Sequence, residues 1–251
     1  MKHSLLPAGN IPVSRQTTPK PQKTSYLGNR HRIDSDAIAH LSPRDQELFQ
    51  TFGCGPYQKL PFRGIHHAFE QMAITIPNAI AAEHEGTEIS YRELNTQANI
   101  LAQRLSKAGI VAGDSVAVFT ERSIEMLVSI MAILKVGAAY IPQDIRIVTE
   151  SMLTNILEAS QAKYILSLSK HEGKIPMKSE IPYLLVDEVM AEQRTHPDWE
   201  ESNFTTQNGD FDPTSNCFLL FTSGTTGTPN GVQITHENVC NIIHTAPGNL
   251  N

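Results

Sequence analysis

Short apolar runs alternate with longer segments whose apolar residues recur every three or four positions, and a layered packing of helices on a sheet is the arrangement that buries both. The sharpest helical segment follows Ser90. Ser90-Tyr-Arg-Glu93 has capping-box spacing, in which the hydroxyl accepts from the Glu93 amide while the Glu93 carboxylate reaches back. Leu94, Ala98, Leu101, Leu105 and Ala108 then line one face, and Gly109 is placed to end the helix. The segment 123–135 is apolar nearly all round, which predicts a deeply buried helix closed by Gly137. Further helices are predicted over 66–76 and 149–160, and Ser42-Pro43 opens a short one. Between them, 115–119, 138–141, 164–168 and 183–186 read as short strands. The expected fold class is α/β, a layered αβ fold with a largely parallel sheet. Segments 52–56 and 191–213 read as loops.

Charge divides the chain. Residues 1–33 hold six Lys or Arg and no acid, whereas the remainder holds 14 Lys or Arg against 26 Asp or Glu. The expectation is a disordered basic tail over 1–41, a linker with a short helix over 42–60, and the layered region over 61–251. A transit peptide is the alternative for the tail, but Pro7, Pro12, Pro19 and Pro21 break the amphipathic helix it needs. The whole-chain net charge of −6 gives no general attraction to nucleic acid or to anionic membrane. The apolar run around 127–134 is far short of a membrane span. Cys54, Cys217 and Cys240 form no Cys-x-x-Cys pair, so they read as reduced thiols of a cytoplasmic protein.

The segment with chemical content begins at Cys217. Cys217-Phe-Leu-Leu-Phe221 is an apolar run suited to a buried strand, and 232–235 suits a second. Between them, residues 222–228 are all Gly, Ser or Thr. Small residues let backbone approach an anion closely, and their amides and hydroxyls supply donors, as a triphosphate requires. A flexible linker or a plain hairpin turn competes with this reading. A linker seldom joins two buried strands, and a hairpin turn needs only two to five residues. The segment is not a Walker loop: the second glycine of that motif would fall on Pro229 counting from Gly224, or on Val232 counting from Gly227. His66-His67 reads as helix surface or packing, since no third ligand has suitable spacing for a metal.

Leu220-Phe-Thr-Ser-Gly-Thr-Thr-Gly-Thr-Pro-Asn-Gly-Val232, followed by Thr235-His236 and Asn238-Val239, resembles the phosphate-loop signature of the adenylate-forming enzymes. Ile89-Ser-Tyr-Arg-Glu-Leu-Asn95 is similar to the first core motif of that superfamily, and Leu134-Lys-Val-Gly-Ala-Ala-Tyr-Ile-Pro-Gln-Asp144 to the second. The form of the latter resembles the adenylation domains of non-ribosomal peptide synthetases more than fatty-acyl ligases. The resemblance covers about residues 61–251. It implies the N-terminal part of the large adenylation subdomain, incomplete at its C-terminal side. It also implies that Thr222, Ser223, Gly224, Thr225, Thr226 and Gly227 wrap the β- and γ-phosphates of ATP and help place Mg2+. The implied reaction joins a small carboxylic acid to AMP, releases pyrophosphate, and passes the acyl group to the phosphopantetheine thiol of a carrier domain. His236 is implied to cap or pack the loop.

Two departures qualify this. Asn230 stands where the family pattern has Lys, which removes a positive charge from the phosphate site. The amino-acid pocket and the C-terminal catalytic lysine fall, by the family pattern, beyond Asn251, so no catalytic residue is assigned. Three readings stay open: part of an active adenylating ligase, a non-catalytic nucleotide-binding or interaction protein, and a decayed fragment. Nothing in the first 60 residues resembles a condensation domain, so the adenylation unit is expected to open its parent.

Overall fold

The structure is a computed structural model and describes residues 36, 38–52, 61–176, 180–195, 204, 211–222 and 230–245. Residues 1–35 and 37 of the expected basic tail, the 53–56 part of the expected first loop, and the loop residues 223–229 fall outside the described residues. The chain divides into two compact units, Met1–Lys59 and Leu60–Asn251. In the first, helix α1 (Pro43–Phe52) starts where the Ser42-Pro43 step predicts, and the Ser42 hydroxyl accepts from the Asp45 amide at 3.2 Å.

The second unit holds the remaining elements. Helix α2 (Ile65–Thr75) precedes an antiparallel hairpin of β1 (Ile80–His84) and β2 (Thr87–Ser90). Helix α3 (Tyr91–Lys107) opens on the expected capping box: the Ser90 amide donates to the Glu93 carboxylate at 2.9 Å, and the Glu93 amide donates to the Ser90 hydroxyl at 3.3 Å. Then come β3 (Ser115–Thr120), α4 (Ile124–Val136), β4 (Ala139–Asp144), α5 (Glu150–Ser160) and β5 (Tyr164–Ser167). A short 3-10 turn (Ser169–Lys174) leads to β6 (Tyr183–Leu185) and α6 (Val186–Thr195). The unit closes with β7 (Asn216–Thr222), β8 (Asn230–Thr235) and α7 (His236–Thr245). Ser123 and Thr149 cap α4 and α5, accepting from Met126 and Met152 amides at 3.2 and 3.3 Å. Gly137 takes φ 83°, the left-handed geometry that ends α4.

Strands run in the order β6-β5-β3-β4-β7-β8, parallel throughout except for β8, which pairs antiparallel with β7. The expected largely parallel α/β sheet is therefore present. β3 is buried on both faces. Val116 and Val118 pack with α3, α4 and α6, whereas Ala117 and Phe119 pack with α5. That two-sided burial is why β3 reads as an unbroken apolar run rather than an alternating one.

Three expectations need correction. The strand expected over 183–186 ends at Leu185, because Val186 already starts α6, and that helix occupies 191–195 of the expected loop. The second strand beside the loop is not a buried one: β8 forms the edge among the described residues, and Val232 is 47% exposed. The β1–β2 hairpin was not foreseen.

Candidate functional site

The parallel strands point their carboxyl ends to one edge of the sheet, the edge where open α/β sheets take ligands. Thr120 on β3 pairs in register with Asp144 on β4. Tyr140 on β4 pairs with Phe218 on β7, and Asp144 and Thr222 are the last residues of those two parallel strands. Thr222 is thus the last β7 residue at the carboxyl edge, and its antiparallel partner is Asn230. Residues 223–229, which hold the rest of the Ser/Thr/Gly run and Pro229, join these two paired positions, so the frame of the sequence-predicted phosphate loop stands at the ligand edge of the sheet. Gly231 has a packing reason of its own: a Cβ there would meet the ring of its cross-strand partner Phe221 at 3.0 Å.

A charged network occupies the neighbouring strand ends. Asp144 accepts from Arg146 through Nε at 3.0 Å, NH2 at 2.7 Å and the backbone amide at 3.0 Å. The remaining guanidinium nitrogen of Arg146 lies 3.2 Å from the Glu121 carboxylate, which also accepts from Lys170. The Arg146 hydrogen bonds hold the Asp144 carboxyl down at about 2. Lys170 and Arg146 likewise lower that of Glu121. None of Glu121, Arg146, Lys170 or His171 was singled out from sequence. The available signal was position, since each lies within five residues of the end of a predicted parallel strand.

His236 follows the end of β8 opposite to Asn230. β8 runs back from the carboxyl edge, so Thr235 pairs with Asn216 at the far end of β7, and His236 begins α7 there. The expectation that His236 caps or packs the loop involves residues 223–229, which lie outside the described residues. His236 packs among His66, Phe211 and His67: the His66–His236 centroids are 5.6 Å apart, His66–His67 4.1 Å and Phe211–His236 4.8 Å. Gly64 permits this close packing, since a Cβ there would meet His66 and Phe211 atoms at 2.8 Å. Burial lowers His66 to about 2 and His236 to about 4, and neither His236 ring nitrogen has a hydrogen-bond partner among the described residues. Cys217 and Cys240 are buried free thiols, and burial raises Cys217 to about 12, which makes it a poor nucleophile. Among the described residues there is no group of three metal-ligating side chains and no helix long and apolar enough to cross a membrane.

Comparison with known proteins adds independent findings. The family described as AMP-binding enzyme matches residues 69–249. Adenylate-forming reductase 06235 of Coprinopsis cinerea is 38% identical over 219 residues, covering 87% of this chain and 21% of that protein. The dimodular nonribosomal peptide synthase of Bacillus subtilis is 32% identical over 201 residues, 79% of this chain and 8% of that protein. A crystal structure of the nonribosomal peptide synthetase FmoA3, in its AMPPNP-bound form, superposes with a TM-score of 0.68 at 23% identity, over 80% of this chain and 20% of that one, which establishes the fold. The chain spans about a fifth or less of the length of these relatives.

Proposed function

This chain belongs to the AMP-binding enzyme family and corresponds to the N-terminal part of a nonribosomal-peptide-synthetase-type adenylation domain, and from that premise we propose that Thr222, Ser223, Gly224, Thr225, Thr226, Gly227 and Asn230 form an ATP-phosphate site serving the activation of a small carboxylic acid. The observation that carries this reading is the frame: a donor-rich Ser/Thr/Gly segment held between paired strand ends at the carboxyl edge of a parallel sheet. The residue types fit a polyphosphate, because amides and hydroxyls donate and the segment carries no acid. In the proposed reaction a carboxylate oxygen bonds to the α-phosphorus, pyrophosphate leaves, and the acyl group passes to a carrier thiol with release of AMP. Mg2+ is the proposed counter-ion of the phosphates. The AMPPNP-bound state of FmoA3 supports ATP as the nucleotide, and the peptide synthetases among the relatives support a carrier as acceptor.

Titration of the 251-residue chain with ATP and Mg2+ tests the site, with inorganic pyrophosphate as competitor. Saturable binding displaced by pyrophosphate is expected, and its absence overturns the reading. Asn230→Lys is expected to tighten ATP binding about fivefold, because a charge-assisted hydrogen bond is roughly twice as strong as a neutral one. Affinity unchanged in that variant shows that position 230 does not meet the phosphates. Amino-acid-dependent exchange of pyrophosphate into ATP by this polypeptide alone is expected to stay at background. The acid pocket and catalytic lysine that the family pattern places after the loop lie outside its 251 residues. Exchange above background with any amino acid contradicts that expectation.

A further inference from the structure

The phosphate-site reading leaves an electrostatic problem at its border. Asp144 and Thr222 are the last residues of the adjacent parallel strands β4 and β7, and neighbouring parallel strands lie roughly 5 Å apart. Glu121 follows Thr120, which is itself level with Asp144. One carboxylate, Asp144, therefore stands on the strand next to β7, and a second, Glu121, one strand further away. Asp144 has three contacts from Arg146, and the one guanidinium nitrogen left over faces Glu121. Arg146 bridges both acids while its side chain is half-exposed at the same edge.

We infer that Arg146 is a charge-masking residue: it neutralises Asp144, and with Lys170 it neutralises Glu121, so that the carboxyl edge beside β7 does not repel the phosphates of a bound nucleotide. This rests on the phosphate-site reading. The geometry distinguishes masking from direct contact. All three guanidinium nitrogens of Arg146 are directed at Asp144 or Glu121, and Glu121 lies on the β3 side of β4, away from β7. Lys170 alone cannot replace Arg146, because its ammonium pairs with Glu121 and no contact joins it to Asp144 among the described residues. Glu85, in the β1–β2 turn, adds a further acid whose field reaches both Arg146 and Lys170. Three carboxylates thus face two cations, and loss of either cation leaves the edge more strongly negative. The loop itself contributes no charge, since Asn230 stands where the family pattern has Lys, and this sharpens the need for a neutral border.

The test is a double-mutant cycle read by ATP–Mg2+ affinity in the full 251-residue chain. Arg146→Gln is expected to weaken binding about tenfold at low salt, and the loss is expected to shrink as ionic strength rises and the Debye length contracts. Asp144→Asn combined with Arg146→Gln is expected to recover affinity to within about threefold of the wild type, since removing the carboxylate removes the need to mask it. Arg146→Lys keeps the charge without the fork and is expected to fall between. Far-UV circular dichroism of each variant checks that the fold is retained, which the exposed position of Arg146 favours. A double variant as weak as Arg146→Gln overturns the inference in favour of direct contact with the nucleotide. Arg146→Gln binding as well as the wild type overturns it outright. Failure of the wild-type chain to bind ATP at all sinks the underlying phosphate-site reading instead, and the inference with it.

Discussion

Glu70→Ala is expected to lower the stability of the chain by about 3 kcal/mol, the low end of the range for breaking a buried ion pair. The Lys135 ammonium donates to Glu70, and its side chain is fully buried while that of Glu70 is 16% exposed. Helix α4 carries this lysine on an otherwise apolar surface: Ala132, Ile133, Leu134 and Val136 are all buried around it. Burial pulls the lysine below its ordinary value, and the Glu70 carboxylate opposes that pull. Removing the carboxylate takes away the charge that offsets desolvation of the ammonium. Replacing both residues, Glu70→Leu with Lys135→Met, is expected to recover most of the loss, because an apolar pair of similar volume pays no desolvation. Urea unfolding of the two variants measures this. A Glu70→Ala midpoint equal to that of the wild type shows that the pair is not structural.

Acid is expected to destabilise the chain well above the range where most carboxylates titrate. His66 and His236 are held at about 2 and about 4 in the folded chain by burial, against about 6.5 when unfolded. The folded state thus binds fewer protons than the unfolded one. The stability linked to each ring is complete above pH 6.5 and is lost as pH falls toward the folded value, at up to about 1.4 kcal/mol per unit for each ring. Between pH 7 and pH 5 the pair is expected to cost about 2–4 kcal/mol. His67 and Lys135 lie close enough to His66 for their charge to oppose its protonation further. Denaturant midpoints at pH 7, 6 and 5 follow the effect, and His66→Phe with His236→Leu is expected to flatten the profile. A wild-type midpoint that does not move between pH 7 and 5 contradicts the burial of neutral rings.

Much of the fold was legible because its local signals are strong and mutually consistent. Ser90 with Glu93, Ser123, Thr149 and Gly137 each mark a helix end by a hydrogen bond or by a left-handed glycine, and these depend on only a few neighbouring residues. The β1–β2 hairpin was illegible for the opposite reason. Its turn residues Glu85 and Gly86 both take positive φ, 51° and 79°, but Glu-Gly is not among the pairs that announce such a turn. The loop of the candidate site could be read from composition, since donors and small residues are visible in sequence. Its border could not. Asp144, Arg146 and Glu121 meet only because β3 and β4 pair in parallel register, and that register is a tertiary fact. The position of His236 was hidden for the same reason: it is six residues from Asn230 in sequence, and an antiparallel strand carries it to the opposite edge.

The strand order has a consequence for synthesis of the chain. Each strand of the main sheet pairs with one already made: β4 and β5 dock on β3, β6 docks on β5, β7 on β4, and β8 on β7. Among the described residues, no strand emerging from the ribosome must wait for a later one to find its neighbour. The sheet grows outward from β3 in both directions, and the longest delay precedes β7, whose partner β4 is finished well before it. Parallel pairings are slow to form because each closes a long loop. Building the central strand first lets those closures occur one at a time on a surface that already exists, and the segment that carries the candidate site joins after the strands before it.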